Sequence, residues 1–163
     1  MSPKAGTSET VAEMRASAIA VLPAMIAVIP FSLLLGALAA QKGISPLEMM
    51  LMSATVFAGS AQFVAVDIWR EPAPWLLLTV TALLINMRHL LMGASLASKI
   101  GHFSTGTSLL ALFTMVDETW ALAEQRAARA RLTPAYVLTM GGILWINWVG
   151  WTGLGAALGS LMG

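Results

Sequence analysis

The chain has 163 residues, of which 58% are hydrophobic and only 10% charged, with a mean hydropathy of +0.79. Soluble domains carry about 25% charged residues, so this composition excludes that class and points to a polytopic membrane protein. A net charge of +1 without a basic stripe argues against nucleic-acid binding, and the lack of cysteine excludes disulfides and thiol chemistry. Only two histidines are present, His89 and His102, and their contexts suggest neither a metal site nor a cofactor.

Taken in order, residues 1–15 are polar and read as a short, mostly disordered head. A first transmembrane segment follows over 17–40, with Pro23, Pro30 and Gly36 predicting a kink or local unwinding. Ala37-Leu38-Ala39 resembles a signal-peptidase site. The apolar stretch, however, is longer than the usual h-region of about 7–15 residues, and the head carries Glu9 and Glu13, so a membrane span is the preferred reading. Ser45-Pro46-Leu47-Glu48 has the residues of a helix start: a capping serine, proline at the first position and an acid at the third. It opens segment 2, over 47–66, whose small and polar residues Gly59-Ser60-Ala61-Gln62 predict a break in the helix.

The loop 67–74 is charged and proline-rich. Segment 3 spans 75–97, segment 4 spans 103–123 with Asp117 and Glu118 inside it, and segment 5 spans 135–162. The expected fold is therefore all-α, a single transmembrane domain over 1–163 with about five membrane helices. No internal repeat is visible. With five crossings and a cytoplasmic N-terminus, Lys4, Arg15, Arg70, Arg126, Arg129 and Arg131 lie inside and Lys42 and Lys99 outside, six against two. Making segment 2 re-entrant changes the count to three against five, so the positive-inside rule favours five crossings.

Three constellations carry chemistry. Arg88 and His89 are the only ionisable residues between Pro72 and Ser98. On a helix starting near Trp75, Arg88 lies about 20 Å into the bilayer, a depth at which charge is expensive and marks function. Asn86, His89 and Gly93 share one helix face, and Arg88 points about 100° away from it. Its guanidinium fork suits a carboxylate, and His89 suits proton coupling; a structural pair with an acid or snorkelling to an interface is the competing reading. Gly59, Ser60, Ala61 and Gln62, flanked by Phe57 and Phe63, form the second constellation: either backbone amides exposed for a substrate, or small residues for close helix packing. Asp117 and Glu118 form the third, either an ion pair within reach of Arg88 or acids at a wet interface. Gly155 and Gly159 form a small-xxx-small packing face for a partner helix, of this chain or of another subunit. The tryptophans of segment 5 read as interfacial anchors or packing.

The order of these blocks resembles a known family. Met52-Ser53-Ala54-Thr55-Val56-Phe57-Ala58-Gly59-Ser60-Ala61-Gln62-Phe63, then Ile85-Asn86-Met87-Arg88-His89-Leu90-Leu91-Met92-Gly93, then Val116-Asp117-Glu118-Thr119-Trp120, is similar to the AzlC family of branched-chain amino acid exporters. The resemblance runs from about Pro23 to Leu158, and members of the family continue past the point where this chain stops. It implies a multi-pass protein of the cell membrane that exports valine, leucine and isoleucine with proton coupling, together with a small hydrophobic AzlD-type subunit. Substrate binding then falls to Phe57, Gly59, Ser60, Ala61, Gln62, Phe63, Asn86 and Arg88, and proton coupling or ion pairing to His89, Asp117 and Glu118. Two other classes compete: a non-transporting assembly subunit, and an intramembrane hydrolase using Ser60 and His89. The hydrolase lacks a Gly-x-Ser-x-Gly context and any marked oxyanion hole.

Overall fold

A computed structural model describes residues 6–162. Among the described residues all regular structure is helical: α1 (Thr7–Gln41), α2 (Pro46–Val56), α3 (Gly59–Asp67), α4 (Trp75–Asn86), α5 (Arg88–Ile100), α6 (Thr105–Phe113), α7 (Asp117–Ala127) and α8 (Pro134–Met162). Two helices, Thr7–Gln41 and the run Trp75–Ile100, are long and apolar enough to cross a membrane. The chain divides into two compact units. One holds residues 1–25 and 92–144, the other residues 26–91 and 145–163.

In the first unit, α1 begins at Thr7, so Thr7–Arg15 are helical where a disordered head was expected; the first five residues of that head lie outside the described residues. Tertiary bonds hold the polar turns in place. Glu13 accepts from Arg126 Nη2 at 2.6 Å and from Thr133 Oγ1 at 3.0 Å, and Ser17 Oγ donates to the Tyr136 carbonyl at 2.6 Å. Thr133 also caps α8, its Oγ1 accepting from Tyr136 N at 3.2 Å, with Pro134 pre-set at the first helical position. The polar contacts between α5 and α7 centre on Glu124, which takes Ser95 Oγ at 2.5 Å and Lys99 Nζ at 2.8 Å; Trp120 Nε1 donates to Ser95 Oγ at 2.9 Å.

Expected segment 4 does not run straight through. It breaks at Thr114–Val116 into α6, of 9 residues, and α7, of 11. The chain then reverses. His102 Nε2, just before α6, lies 3.0 Å from the carbonyl oxygen of Leu132, just after α7, whereas 30 residues of straight helix would separate them by about 45 Å. Gly101, His102, Arg131 and Leu132 line one open cleft at this shared end.

The second unit contains a matching reversal. Ser45 and Glu48 form the capping box read from the sequence: Glu48 Oε2 accepts from Ser45 N at 2.8 Å and Ser45 Oγ accepts from Glu48 N at 3.3 Å. α2 then ends at Phe57, in the left-handed region with φ 36° and ψ 51°. A bulky residue is costly there, by about 1–3 kcal/mol, and is held by burial, since Phe57 is only 4% exposed. The break lies at Phe57–Ala58, two residues before the expected Gly59–Gln62, and those four residues instead form the first turn of α3. Lys42 Nζ, before α2, donates to the Asp67 carbonyl at the end of α3 at 2.8 Å. α2 and α3 therefore form a hairpin, not a single passage.

α8 and the second half of α1 pack closely in this unit. A Cβ on Gly155 would overlap the Leu33 carbonyl, and one on Gly159 would lie 2.9 Å from Ala37 Cα. The partner of the small-residue face is thus α1 of the same chain. α4 presents no buried residue: Trp75, Leu76, Leu83 and Leu84 are all more than 60% exposed, a surface that hydrocarbon solvates and water does not.

Candidate functional site

The helix carrying Arg88 continues past it. Met87 keeps right-handed helical angles (φ −53°, ψ −32°), its N–H donates to the Leu83 carbonyl at 3.0 Å, and Leu90 N donates to the Met87 carbonyl at 3.0 Å. Arg88 stands 13 residues after Trp75 and 12 before Ile100, at the middle of a 26-residue apolar helix. A termination at Met87, which would have made Arg88 interfacial, does not occur.

The α2–α3 hairpin brings Ser60 to this point. Arg88 Nη2 donates to Ser60 Oγ at 2.8 Å. Ser60 is the second residue of α3, whose N-cap, Ala58, has no side-chain acceptor for the first amides of the helix. The N–H groups of Gly59, Ser60 and Ala61 therefore begin a helix at the place the guanidinium reaches, and both favour an anion. Asn86 and His89, one turn apart on the same helix, each hold a buried polar atom, Asn86 Oδ1 and His89 Nδ1, with no hydrogen-bond partner among the described residues. Buried polar atoms in native proteins are normally paired, so these two are available to a ligand or water.

Side chains of the second constellation also hold the hairpin in place. Gln62 is 1% exposed; its Nε2 donates to Ser53 Oγ at 3.0 Å and its Oε1 accepts from Trp148 Nε1 at 2.8 Å. Ser53 Oγ lies 2.9 Å from Thr152 Oγ1. This chain of bonds ties both arms of the hairpin to α8, and the Trp145 indole adds a bond to the Ala54 carbonyl at 3.1 Å. Gly59 has no room for a side chain: a Cβ there would lie 2.9 Å from Trp148 Cη2. Ala61 is buried with Phe57, and Phe63 is half-buried. Ser53, Trp148 and Thr152 thus position the site without having been singled out for it. The available signal was three polar groups, Ser53, Gln62 and Thr152, in otherwise apolar runs. Gln62→Leu should lower the thermal midpoint in detergent, because Trp148 Nε1 loses its acceptor and a buried unpaired group costs about 1–3 kcal/mol. An unchanged midpoint would show that the bond chain contributes nothing.

Asp117 and Glu118 belong to the other unit, where they are not mid-helix residues but the first two of α7. Both are exposed. Acids in a first turn complement the helix dipole, which accounts for their position. Val116 N donates to Thr119 Oγ1 at 2.9 Å, closing the start of the helix.

The chain matches the AzlC protein family over residues 23–162. It is 30% identical over 142 residues to the inner membrane protein YgaZ of Escherichia coli (strain K12), covering 85% of this chain and 58% of that protein. It is 29% identical over 140 residues to an uncharacterized membrane protein of Archaeoglobus fulgidus, covering 86% of this chain and 60% of the other. The chain spans about three fifths of the length of these relatives. No solved structure matches it.

Proposed function

The chain belongs to the AzlC family of membrane proteins, and on that premise we propose that it is a transporter subunit of the cell membrane that exports branched-chain amino acids. The observation that carries the reading is the Arg88–Ser60 bond, which sets a guanidinium beside the first amides of α3 in the middle of an apolar helix. Both groups recognise a carboxylate, and Arg88 does so through a planar fork. Exposed apolar residues of the Arg88 helix, such as Leu84 and Leu91, offer surface for an aliphatic side chain. Asn86 and His89 offer buried polar atoms that have no partner among the described residues. His89, Asp117 and Glu118 are the proposed proton-coupling groups. A small hydrophobic AzlD-type subunit is the proposed partner.

The test is counterflow of labelled valine, leucine and isoleucine in proteoliposomes, with and without that small subunit. Uptake against a branched-chain load, competed by the other two, supports the reading. Uptake of another small zwitterion or anion in their place keeps the site and replaces the substrate. No uptake under either condition favours an assembly role. His89→Gln should alter the pH dependence of transport; an unchanged profile removes His89 from coupling.

A further inference from the structure

We infer that the chain crosses the bilayer three times, through α1, the Trp75–Ile100 helix and α8, whose 29 residues carry no charge and span about 44 Å, and that α2–α3 and α6–α7 are re-entrant hairpins, each entering and leaving on one face. The inference is independent of the transported solute. It starts from length. α2 and α3 have 11 and 9 residues, α6 and α7 have 9 and 11, and each is about 13–17 Å long, half of a hydrocarbon core of about 30 Å. Within each hairpin the two ends meet, at Lys42 and Asp67 in one and at His102 and Leu132 in the other. A segment whose ends meet does not cross.

The hairpin tips satisfy the condition for irregular backbone at membrane depth, which must be buried in protein. Phe57 and Ala58 are 4% and 2% exposed, and Thr114 and Met115 are 8% and 4% exposed. The two hairpins also repeat a pattern. Each follows a four-residue loop (42–45 or 101–104) that contains a glycine and ends in a capping serine, Ser45 or Ser104. Each then breaks about midway and returns to a loop of six or seven residues that leads into a long helix. This is an internal repeat that is not visible in residue identities. In chain order one crossing helix lies between the two copies, so successive hairpins open on opposite faces, the arrangement of inverted-topology repeats.

Charge agrees. With three crossings, Lys4, Arg15, Lys99, Arg126, Arg129 and Arg131 share the cytoplasmic face, and Lys42 and Arg70 lie outside, six against two. Five crossings give the same ratio, but with Arg70 and Lys99 exchanged, so the rule does not separate the two topologies while labelling of loops does. The chain contains no cysteine, so single-cysteine variants need no background changes. Gln41→Cys and Arg129→Cys mark the outer and inner faces under both topologies. Glu71→Cys and Thr105→Cys, both exposed positions, discriminate. With a membrane-impermeant maleimide on intact cells, Glu71→Cys should label alongside Gln41→Cys, and Thr105→Cys only after permeabilisation, alongside Arg129→Cys. Labelling of Thr105→Cys in intact cells, or protection of Glu71→Cys, overturns the inference. Arg70→Cys and Gly106→Cys replace either variant that fails to reach the membrane and are read the same way.

Discussion

If the proposed export holds, Arg88→Ala should abolish it, lowering transport at least about 100-fold, while the variant reaches the membrane at the wild-type level or above. The two halves of this expectation have separate physical origins. A helix insertion scale puts an arginine at mid-helix at about 2.5–3.5 kcal/mol unfavourable, so its removal does not impair insertion. Arg88 stands at the middle of its 26-residue helix, where that cost is greatest. The transport loss follows from charge-assisted recognition. A hydrogen bond to a charged group contributes about 1.5–3 kcal/mol, and a fork making two of them, with no substitute in an apolar site, accounts for two orders of magnitude or more. Arg88→Lys keeps the charge but loses the fork, so it should fall between the two. Ser60→Ala removes only the hydroxyl that accepts from Arg88 Nη2 and should cost about tenfold or less. Wild-type transport by Arg88→Ala, at matched membrane levels, would remove the guanidinium from the site. A protein absent from the membrane would instead show that the arginine supports folding.

The residues of this site were legible in the sequence because membrane-depth polarity is rare. A charge between Pro72 and Ser98 stands out against its neighbours, and Gly59-Ser60 interrupts an apolar run in a way that local propensity records. The Ser45–Glu48 start was legible for the same kind of reason, since a capping box is a contact between residues three apart. What happens after the break was not. A left-handed Phe57 ends α2, but neither hydropathy nor spacing states whether the next helix continues or turns back. The bonds that close the reversal join Lys42 to Asp67 and His102 to Leu132, 25 and 30 residues apart, and no local pattern carries them. The same applies to Asp117 and Glu118. On a continuous segment 4 they sit in mid-helix; at the start of α7, beside the tip of the hairpin, they sit where the helix dipole favours acids. Gln62 changed role for the converse reason. Its side chain is bonded to Ser53 and Trp148, so it builds the hairpin.

Gly36→Val should be the most damaging single substitution for folding, costing about 3 kcal/mol or more. Helices in a bilayer gain little from apolar burial against one another, because lipid is equally apolar, and depend instead on close backbone approach. α1 and α8 achieve that approach with Gly36, Gly155 and Gly159. A Cβ on Gly36 would overlap the Thr152 carbonyl oxygen and lie 2.5 Å from Ala156 N, and both of these are backbone atoms of α8. A flexible side chain could move aside; a helix backbone moves only by separating the two helices. Separation also pulls Thr152 away from Ser53, so the bonds that hold the α2–α3 hairpin weaken together with the packing. Overpacking costs about 1–3 kcal/mol where neighbours adjust, and a backbone wall places this substitution at or beyond the upper end. For a protein of this size about 3 kcal/mol corresponds to a thermal midpoint lower by roughly 6–12 °C. Gly36→Ala should show a smaller fall in the same direction. Gly150→Ala on the same α8 is the control, since a Cβ there meets nothing within 4 Å. Replacing an open helical glycine with alanine removes backbone freedom and should hold or raise the midpoint by up to about 1 kcal/mol in stability. Equal behaviour of Gly36→Val and Gly150→Ala in detergent would mean that α1 and α8 do not meet at Gly36.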